Sequence, residues 1–171
     1  MSRQQFSKRL SAFVCLMAIA LFSIVAIAVN VPPAYARDLT FNKQALVNED
    51  FSNQDLTKAS FTKANLRGSD FSHSDLRGVS LFGASLVYAN LEGADLRNAT
   101  LDTARFNRAN LTNALLEGAY AFNATFDGAT IDGADFTDVL LREDAHAVLC
   151  DLATGTNPVT GRNTRDTLYC D

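Results

Sequence analysis

Tryptophan is absent from this 171-residue chain, and it contains only three prolines, three cysteines and two histidines. The histidines, His73 and His146, lie far apart, and neither has a serine, cysteine or carboxylate partner at the spacing of a catalytic triad. No cluster of histidine and cysteine has metal-ligand spacing, and no glycine-rich phosphate loop is present. The sequence therefore predicts no enzyme, no cofactor and no metal site.

Basic residues are also scarce after the first 36 positions. Residues 37–171 hold 12 lysines and arginines against 19 acidic residues, a formal charge of −7. A chain with this balance is a poor ligand for nucleic acid and is better suited to solution or to a basic partner. We expect no nucleic-acid partner.

Residues 1–36 have the pattern of a secretory signal peptide. Three basic residues precede an apolar run over 10–29, Pro32-Pro33 follows, and Ala34-Tyr35-Ala36 forms a cleavage site before Arg37. Cleavage would leave no membrane segment and would place the mature chain outside the cytoplasm, where disulfides persist. The alternative is a retained anchor, because about 20 apolar residues can span a bilayer.

A five-residue period dominates the remainder of the chain. From Phe41 to Leu141, 20 of 21 positions at this spacing are Phe, Leu or Ile, and Ala121 is the exception. We call these 21 positions the centres of the repeats. The position two before each centre is alanine 13 times out of 17 between Ala59 and Val139. Seven of the nine glycines lie two residues after a centre.

A period of five matches neither a helix nor a strand and indicates a chain that turns a corner every five residues. Four sides make a 20-residue coil, in which one large and one small side chain per side point inward. Coils stack at the strand spacing of about 4.8 Å. The sequence predicts about five such coils over residues 37–141, with identical core side chains in ladders.

The pattern resembles that of the pentapeptide-repeat family. The segments 64–68, 89–93 and 94–98, which read Ala-Asn-Leu-Arg-Gly, Ala-Asn-Leu-Glu-Gly and Ala-Asp-Leu-Arg-Asn, match it closely. The resemblance implies an all-β solenoid, the right-handed quadrilateral β-helix. Since the family hosts several roles, the fold alone does not give the function.

Residues 142–171 have a different character. Leu141, Ala145, Val148, Leu149 and Leu152 lie at helical spacing, and Gly155 is a stop signal, which predicts a short helix over the last coil. In an oxidising compartment we expect Cys150 and Cys170 to form a disulfide that ties the tail to this helix. The alternatives are a redox or metal site, for which the spacing gives no support.

The ending resembles lumenal pentapeptide-repeat proteins of cyanobacteria and chloroplasts. The matching residues are Leu149-Cys150, the run Gly-Thr-Asn-Pro-Val-Thr-Gly-Arg-Asn-Thr over 155–164, and Leu168-Tyr169-Cys170. This resemblance implies a location in the thylakoid lumen or the periplasm. It implies no defined biochemical role.

Two outer features are candidates for an interaction surface. One is a stretch rich in acidic residues, and the other is a set of apolar residues outside the inward register. We expect both to point outward, although Phe122 could instead fill the core beside Ala121 and the tail could cover part of the apolar set. The candidate residues are Phe82, Tyr88, Leu115, Tyr120, Phe122, Asp127, Asp132 and Asp135.

We therefore predict a non-enzymatic exported protein, a monomer or weak dimer that acts as a structural or protein-interaction module with an unidentified protein partner. Two alternatives stay open. One is a redox-responsive protein that acts through Cys150 and Cys170. The other is a membrane-anchored scaffold, if the signal is retained. Some acidic members of the family mimic DNA. This chain resembles them only weakly, because its residues 58–108 carry seven basic residues.

Overall fold

The protein is described by a computed structural model over residues 39–171. The predicted signal segment and its cleavage site, Ala34, Ala36 and Arg37, lie outside the described residues. Two short parallel strands, β1 (Leu39–Thr40) and β2 (Ala59–Ser60), pair with Leu39 opposite Ala59. The same 20-residue register continues as single-residue parallel bridges up to Tyr120 opposite Leu140. Since the chain turns every five residues, each 20-residue coil has four sides.

A β-turn at each corner explains the placement of the glycines. At one corner the Ala64 amide donates to the Phe61 carbonyl at 3.0 Å, and Lys63, two residues after the centre, has a φ of 58°. A positive φ at this place is typical of a type II turn and favours glycine. At Gly93, a Cβ atom would also come within 2.6 Å of Nδ1 of His73 in the preceding coil.

Large side chains fill the tube in vertical stacks. Phe106 and Phe126 are 5.2 Å apart and nearly parallel, and the leucine centres from Leu56 to Leu116 are essentially inaccessible to solvent. Ala121 is fully buried while Phe122 remains 40% exposed. The register therefore does not slip, and the alternative in which Phe122 fills the core is wrong.

The two ends of the tube differ. Near the N-terminal end, Leu39, Gln44, Glu49 and Gln54 occupy the small-residue position and are exposed. After the last coil the chain forms helix α1 (Glu143–Leu152) and the short helix α2 (Thr164–Thr167). Within residues 39–171, no helix has both the length and the apolar character needed to cross a membrane.

The C-terminal segment takes over hydrogen bonds that a further coil would make. The Gly133 amide donates to the Thr154 carbonyl at 2.8 Å, and the Phe136 amide donates to Oγ1 of Thr167 at 3.1 Å. Leu149 of α1 is fully buried. Thus α1 and the tail cover both backbone donors and apolar side chains of the last coil.

Candidate functional site

Asn157 anchors the tail to the tube. Its side chain is fully buried, and Nδ2 donates to the carbonyls of Gly133 at 2.8 Å and Asn113 at 3.2 Å. Its Oδ1 accepts from the amides of Val159 and Thr160. One side chain therefore joins two successive coils to the turn of the tail, with each of its polar atoms bonded.

Arg162 forms a second link, to a buried carboxylate. Its Nη1 lies 3.2 Å from Asp135 and 2.9 Å from Glu117. Burial alone would raise the pKa of Asp135, but hydrogen bonds from Thr137 and the charge of Arg162 outweigh it and hold the pKa below its usual range. Asp135 is therefore an ionised, paired group inside the tail contact.

A cluster of His146, Cys150 and Cys170 lies where α1 meets the end of the tail. Cys150 and Cys170 are joined by a disulfide, with their Cα atoms 5.6 Å apart. The Sγ atom of Cys150 lies 3.6 Å from Nε2 and 4.0 Å from Nδ1 of His146. All three side chains are partly buried. We call these three residues the Cys–His cluster.

A backbone carbonyl fixes the histidine of this cluster. Nε2 of His146 lies 2.6 Å from the carbonyl oxygen of Leu168, which can only accept a hydrogen bond. Nε2 therefore carries the proton, and the lone pair is on Nδ1. Beside the cluster, a cleft of about 510 Å³ is lined by residues that include Leu140, His146 and Tyr169.

The sequence-based view that His146 has no cysteine partner is wrong. His146 and Cys150 are four residues apart on a segment that the sequence predicts to be helical, so they share one face of α1. That spacing was the available signal. The contribution of Cys170 could not be read in the same way, because it depends on the path of the tail.

Two of the candidate surface residues are buried, contrary to the prediction that they point outward. Leu115 is 8% exposed and Asp135 is fully buried. Both lie on the side of the tube that carries the centres Leu96, Leu116 and Phe136, which we call the tail face. The tail crosses this part of the molecule through the contacts of Asn157 and Arg162, so neither residue is available to a partner.

The acidic candidates also do not form one column. The three residues Asp127, Asp132 and Asp135 are each next to a different centre, so they lie on three different sides of the coil. Asp127 and Asp132 are exposed, and each accepts a hydrogen bond, from Asn107 and Thr154 respectively. They therefore do not make a continuous acidic surface.

The aromatic candidates divide into two places. Tyr120 and Phe122, 44% and 40% exposed, lie on the side with centres Leu81, Leu101 and Ala121, which we call the aromatic face. Leu140, 51% exposed, pairs with Tyr120 in the ladder and extends this apolar surface toward α1. Phe82 is on the same face but is half-buried, and so less exposed than Phe122. Asp102 lies between Phe82 and Phe122 along the stack of coils.

Tyr88 lies on the neighbouring side of the tube and has cationic neighbours. The guanidinium carbons of Arg67 and Arg108 are 4.8 and 5.5 Å from the centroid of its ring, and Arg108 donates to its hydroxyl. These cation–π contacts hold the Tyr88 ring against arginines of the two adjacent coils. It does not join the surface of Tyr120, Phe122 and Leu140.

The comparisons with known proteins agree with the periodic tube. A family model described as pentapeptide repeats matches residues 38–73, 74–113 and 104–142. A solved pentapeptide-repeat protein from the Arabidopsis thaliana thylakoid lumen is 46% identical, with a TM-score of 0.75 over 77% of this chain and 91% of that one.

A pentapeptide-repeat protein from Nostoc is 29% identical, with a TM-score of 0.51 over 60% of this chain and 84% of that one. The search of curated proteins found no match. These likenesses confirm the fold class predicted from the sequence, the right-handed quadrilateral β-helix.

Proposed function

The chain belongs to the pentapeptide-repeat family, and we propose that it is a non-enzymatic protein of the thylakoid lumen or periplasm that presents a rigid surface to a protein partner. The lumenal origin of the Arabidopsis relative supports the compartment. The signal-like pattern of residues 1–36 supports export. The filled interior of the tube supports a role carried by its outer faces.

The observation that carries the proposal is the apolar surface at the C-terminal end of the aromatic face. Tyr120, Phe122 and Leu140 are all at least 40% exposed. Tyr120 pairs with Leu140 as a parallel bridge, and Phe122 follows Tyr120 by two residues on the same side of the tube. Clustered exposed aromatic side chains are typical of the centres of protein interfaces. We infer that this surface binds an apolar patch on a partner protein.

A crosslinking pull-down from lumenal or periplasmic extract of the source organism tests the proposal. The mature protein should capture a specific partner, and the double variant Tyr120→Ser with Phe122→Ser should lose it. Val159→Ser is the matched control, because Val159 is a 75% exposed apolar residue in the tail. The proposal fails if no partner is captured after crosslinking, or if the double variant captures it as well as the wild type.

The C-terminal segment has a supporting role in this proposal. We infer that the tube has about five coils and that α1 with the tail caps its last coil. A capped end protects core and backbone groups that would otherwise promote association between chains. The expected state is a monomer or weak dimer, which light scattering across a concentration series measures.

Cleavage of the signal belongs to the same proposal. We expect the mature protein to begin at Arg37, after Ala34-Tyr35-Ala36. N-terminal sequencing of the protein from its source decides between this form and a membrane-anchored scaffold. An N-terminus at Met1 or Ser2 would contradict cleavage.

A second candidate function is redox response through Cys150 and Cys170. The observation that favours it is His146, whose Nε2 lies 3.6 Å from the Sγ of Cys150. A nearby imidazole stabilises a thiolate and so assists disulfide exchange. Rapid reduction by a thioredoxin, coupled to a change in partner capture, would support it, whereas resistance to the enzyme would remove it.

A further inference from the structure

We propose that reduction of the Cys150–Cys170 disulfide creates a binding site for one thiophilic divalent cation of the Zn²⁺ type, held by the two thiolates and the imidazole of His146. The inference does not depend on the proposed partner surface. It rests on the geometry of the Cys–His cluster, whose three ligand atoms all lie within 4.8 Å of one another.

The distances suit a tetrahedral ion. Zinc bonds of about 2.3 Å to sulfur and 2.0–2.1 Å to nitrogen place these two ligand atoms about 3.6 Å apart. Nδ1 of His146, the ring nitrogen that carries the lone pair, lies 4.0 Å from the Sγ of Cys150, so these two atoms must approach by about 0.4 Å. The two sulfurs must separate to about 3.8 Å by the same geometry, and that separation becomes possible once the covalent bond is broken.

The hydrogen bond to Leu168 prepares the histidine for this role. Metal-binding histidines commonly donate their other N–H to a backbone carbonyl, which fixes the tautomer and the ring orientation. Nε2 of His146 makes this bond at 2.6 Å. Nδ1 therefore has a free lone pair, lies 4.0 Å from the Sγ of Cys150, and is the ligand atom that we assign.

The tail does not depend on the disulfide alone to stay near α1. Asn157 and Arg162 hold it to the tube, and Arg165 donates from Nη1 to the Cys150 carbonyl at 3.1 Å. Cys170 is hydrogen-bonded through its amide to the Arg165 carbonyl. These contacts keep the two thiols close after reduction, while the adjoining cleft gives an ion access to His146.

A dithiol can act as the reductant of the Cys150–Cys170 disulfide. The dithiol gives two electrons and two protons to the disulfide and becomes a disulfide itself, while Cys150 and Cys170 become thiols. Binding of one divalent cation then displaces one proton from each thiol, and the bis-thiolate neutralises the charge of the ion. Three protein ligands leave the fourth tetrahedral position for water.

Cobalt titration of the purified protein tests the site. The protein is reduced with a phosphine, kept under argon and titrated with Co²⁺, whose thiolate charge-transfer and tetrahedral absorption bands report the ligands. We expect one Co²⁺ per reduced chain, displaced by one Zn²⁺, and no such bands in the oxidised protein. Equal binding by the oxidised protein, or no binding after reduction, would overturn the proposal.

Variants separate the histidine from the thiols. His146→Gln keeps both thiols and should weaken Zn²⁺ binding by at least about tenfold, the size of effect known for perturbing such sites. His73→Gln is the matched control and should bind as the wild type does. Cys150→Ser should lose the charge-transfer bands. Unchanged affinity in His146→Gln would contradict the assignment, and circular dichroism verifies that each variant is folded.

Discussion

The tube and the C-terminal cap of this protein are held together in different ways. In the tube, the same contacts recur every 20 residues: a backbone bridge, a turn and a stacked apolar centre. In the cap, each contact occurs once, as a disulfide, the Asn157 side chain or the Arg162–Asp135 pair. Loss of one contact is therefore expected to disturb several coils in the tube but only a local segment in the cap.

The largest effect should come from emptying a stack inside the tube. Phe106→Ala removes a fully buried ring that stacks on Phe126 at 5.2 Å, and a change of this kind costs about 3–5 kcal/mol of unfolding free energy. Chemical denaturation measures the loss. Phe106→Leu is the control and should cost less, because Leu86 occupies the equivalent position one coil earlier. Equal costs would show that the stacks tolerate cavities.

Cutting the disulfide should produce a loss of similar size but confined to the cap. Cys170→Ser opens a loop with a sequence separation of 20, which corresponds to about 3 kcal/mol in the chain-entropy account. Hydrogen exchange should accelerate in α1 and the tail, while amides between residues 61 and 111 keep their protection. Faster exchange throughout the tube would contradict the separation of the two regions.

Asn157→Ala should loosen the cap by a smaller amount. The change leaves the carbonyls of Gly133 and Asn113 without these donors and removes the acceptor for two tail amides. At about 0.5–0.7 kcal/mol for each of these four hydrogen bonds, the low end of the usual range, we expect a loss of about 2–3 kcal/mol in local stability. Limited proteolysis of the tail measures it. Val159→Ala, at an exposed neighbour, should leave the cleavage rate unchanged.

The sequence predicts the tube better than the cap for a physical reason. In the tube, each position has the same environment as the residue 20 places away, so the pattern of Phe, Leu, Ala and Gly identifies the inside, the corners and the register. Leu115 and Asp135 lie outside that interior. Asp135 is buried and pairs with Arg162 of the tail, and Leu115 bridges to Asp135 from the neighbouring coil. No periodic signal predicts such a long-range contact.

The Cys–His cluster is intermediate between these cases. The four-residue spacing of His146 and Cys150 on a predicted helix is visible in the sequence. The approach of Leu168 and Cys170 is not, because it depends on the turn built around Asn157. The parts of the site that belong to one helix could thus be predicted, whereas those that depend on packing of the tail could not.

Glycine substitutions compare two corners within the tube. Gly93 and Gly78 both have a left-handed φ, at which alanine costs about 1–2 kcal/mol. Only at Gly93 would the new Cβ meet His73, so Gly93→Ala should destabilise more than Gly78→Ala in thermal or chemical unfolding. In a His73→Ala background the difference should disappear, because the contact is then absent. If the difference between the two alanine substitutions persists in this background, its cause is the backbone conformation and not the contact with His73.

The smallest effect we predict is a pH dependence of the cap. Because Asp135 has a pKa below that of an unfolded aspartate, about 3.9, its stabilisation is present above that pH and is lost as the pH falls through the folded value. Asp135→Asn keeps an acceptor for Thr137 but loses the charge facing Arg162. The protection of the tail from hydrogen exchange should therefore differ between wild type and variant near neutral pH.

That difference should shrink only below the ordinary aspartate value of about 3.9, as the pH falls through the lower folded pKa of Asp135 and the wild-type carboxylate takes up a proton. We expect a modest effect because Arg162 is 42% exposed, and water screens part of its attraction to Asp135. Asp127→Asn, an exposed change on another side of the tube, is the control and should leave the tail unaffected at every pH. If Asp135→Asn instead loses tail protection to the same extent at pH 7 and at a pH below the folded pKa of Asp135, the charge on Asp135 does not stabilise this contact. Shape and hydrogen bonding then hold the contact, and the cap resembles the tube in this respect.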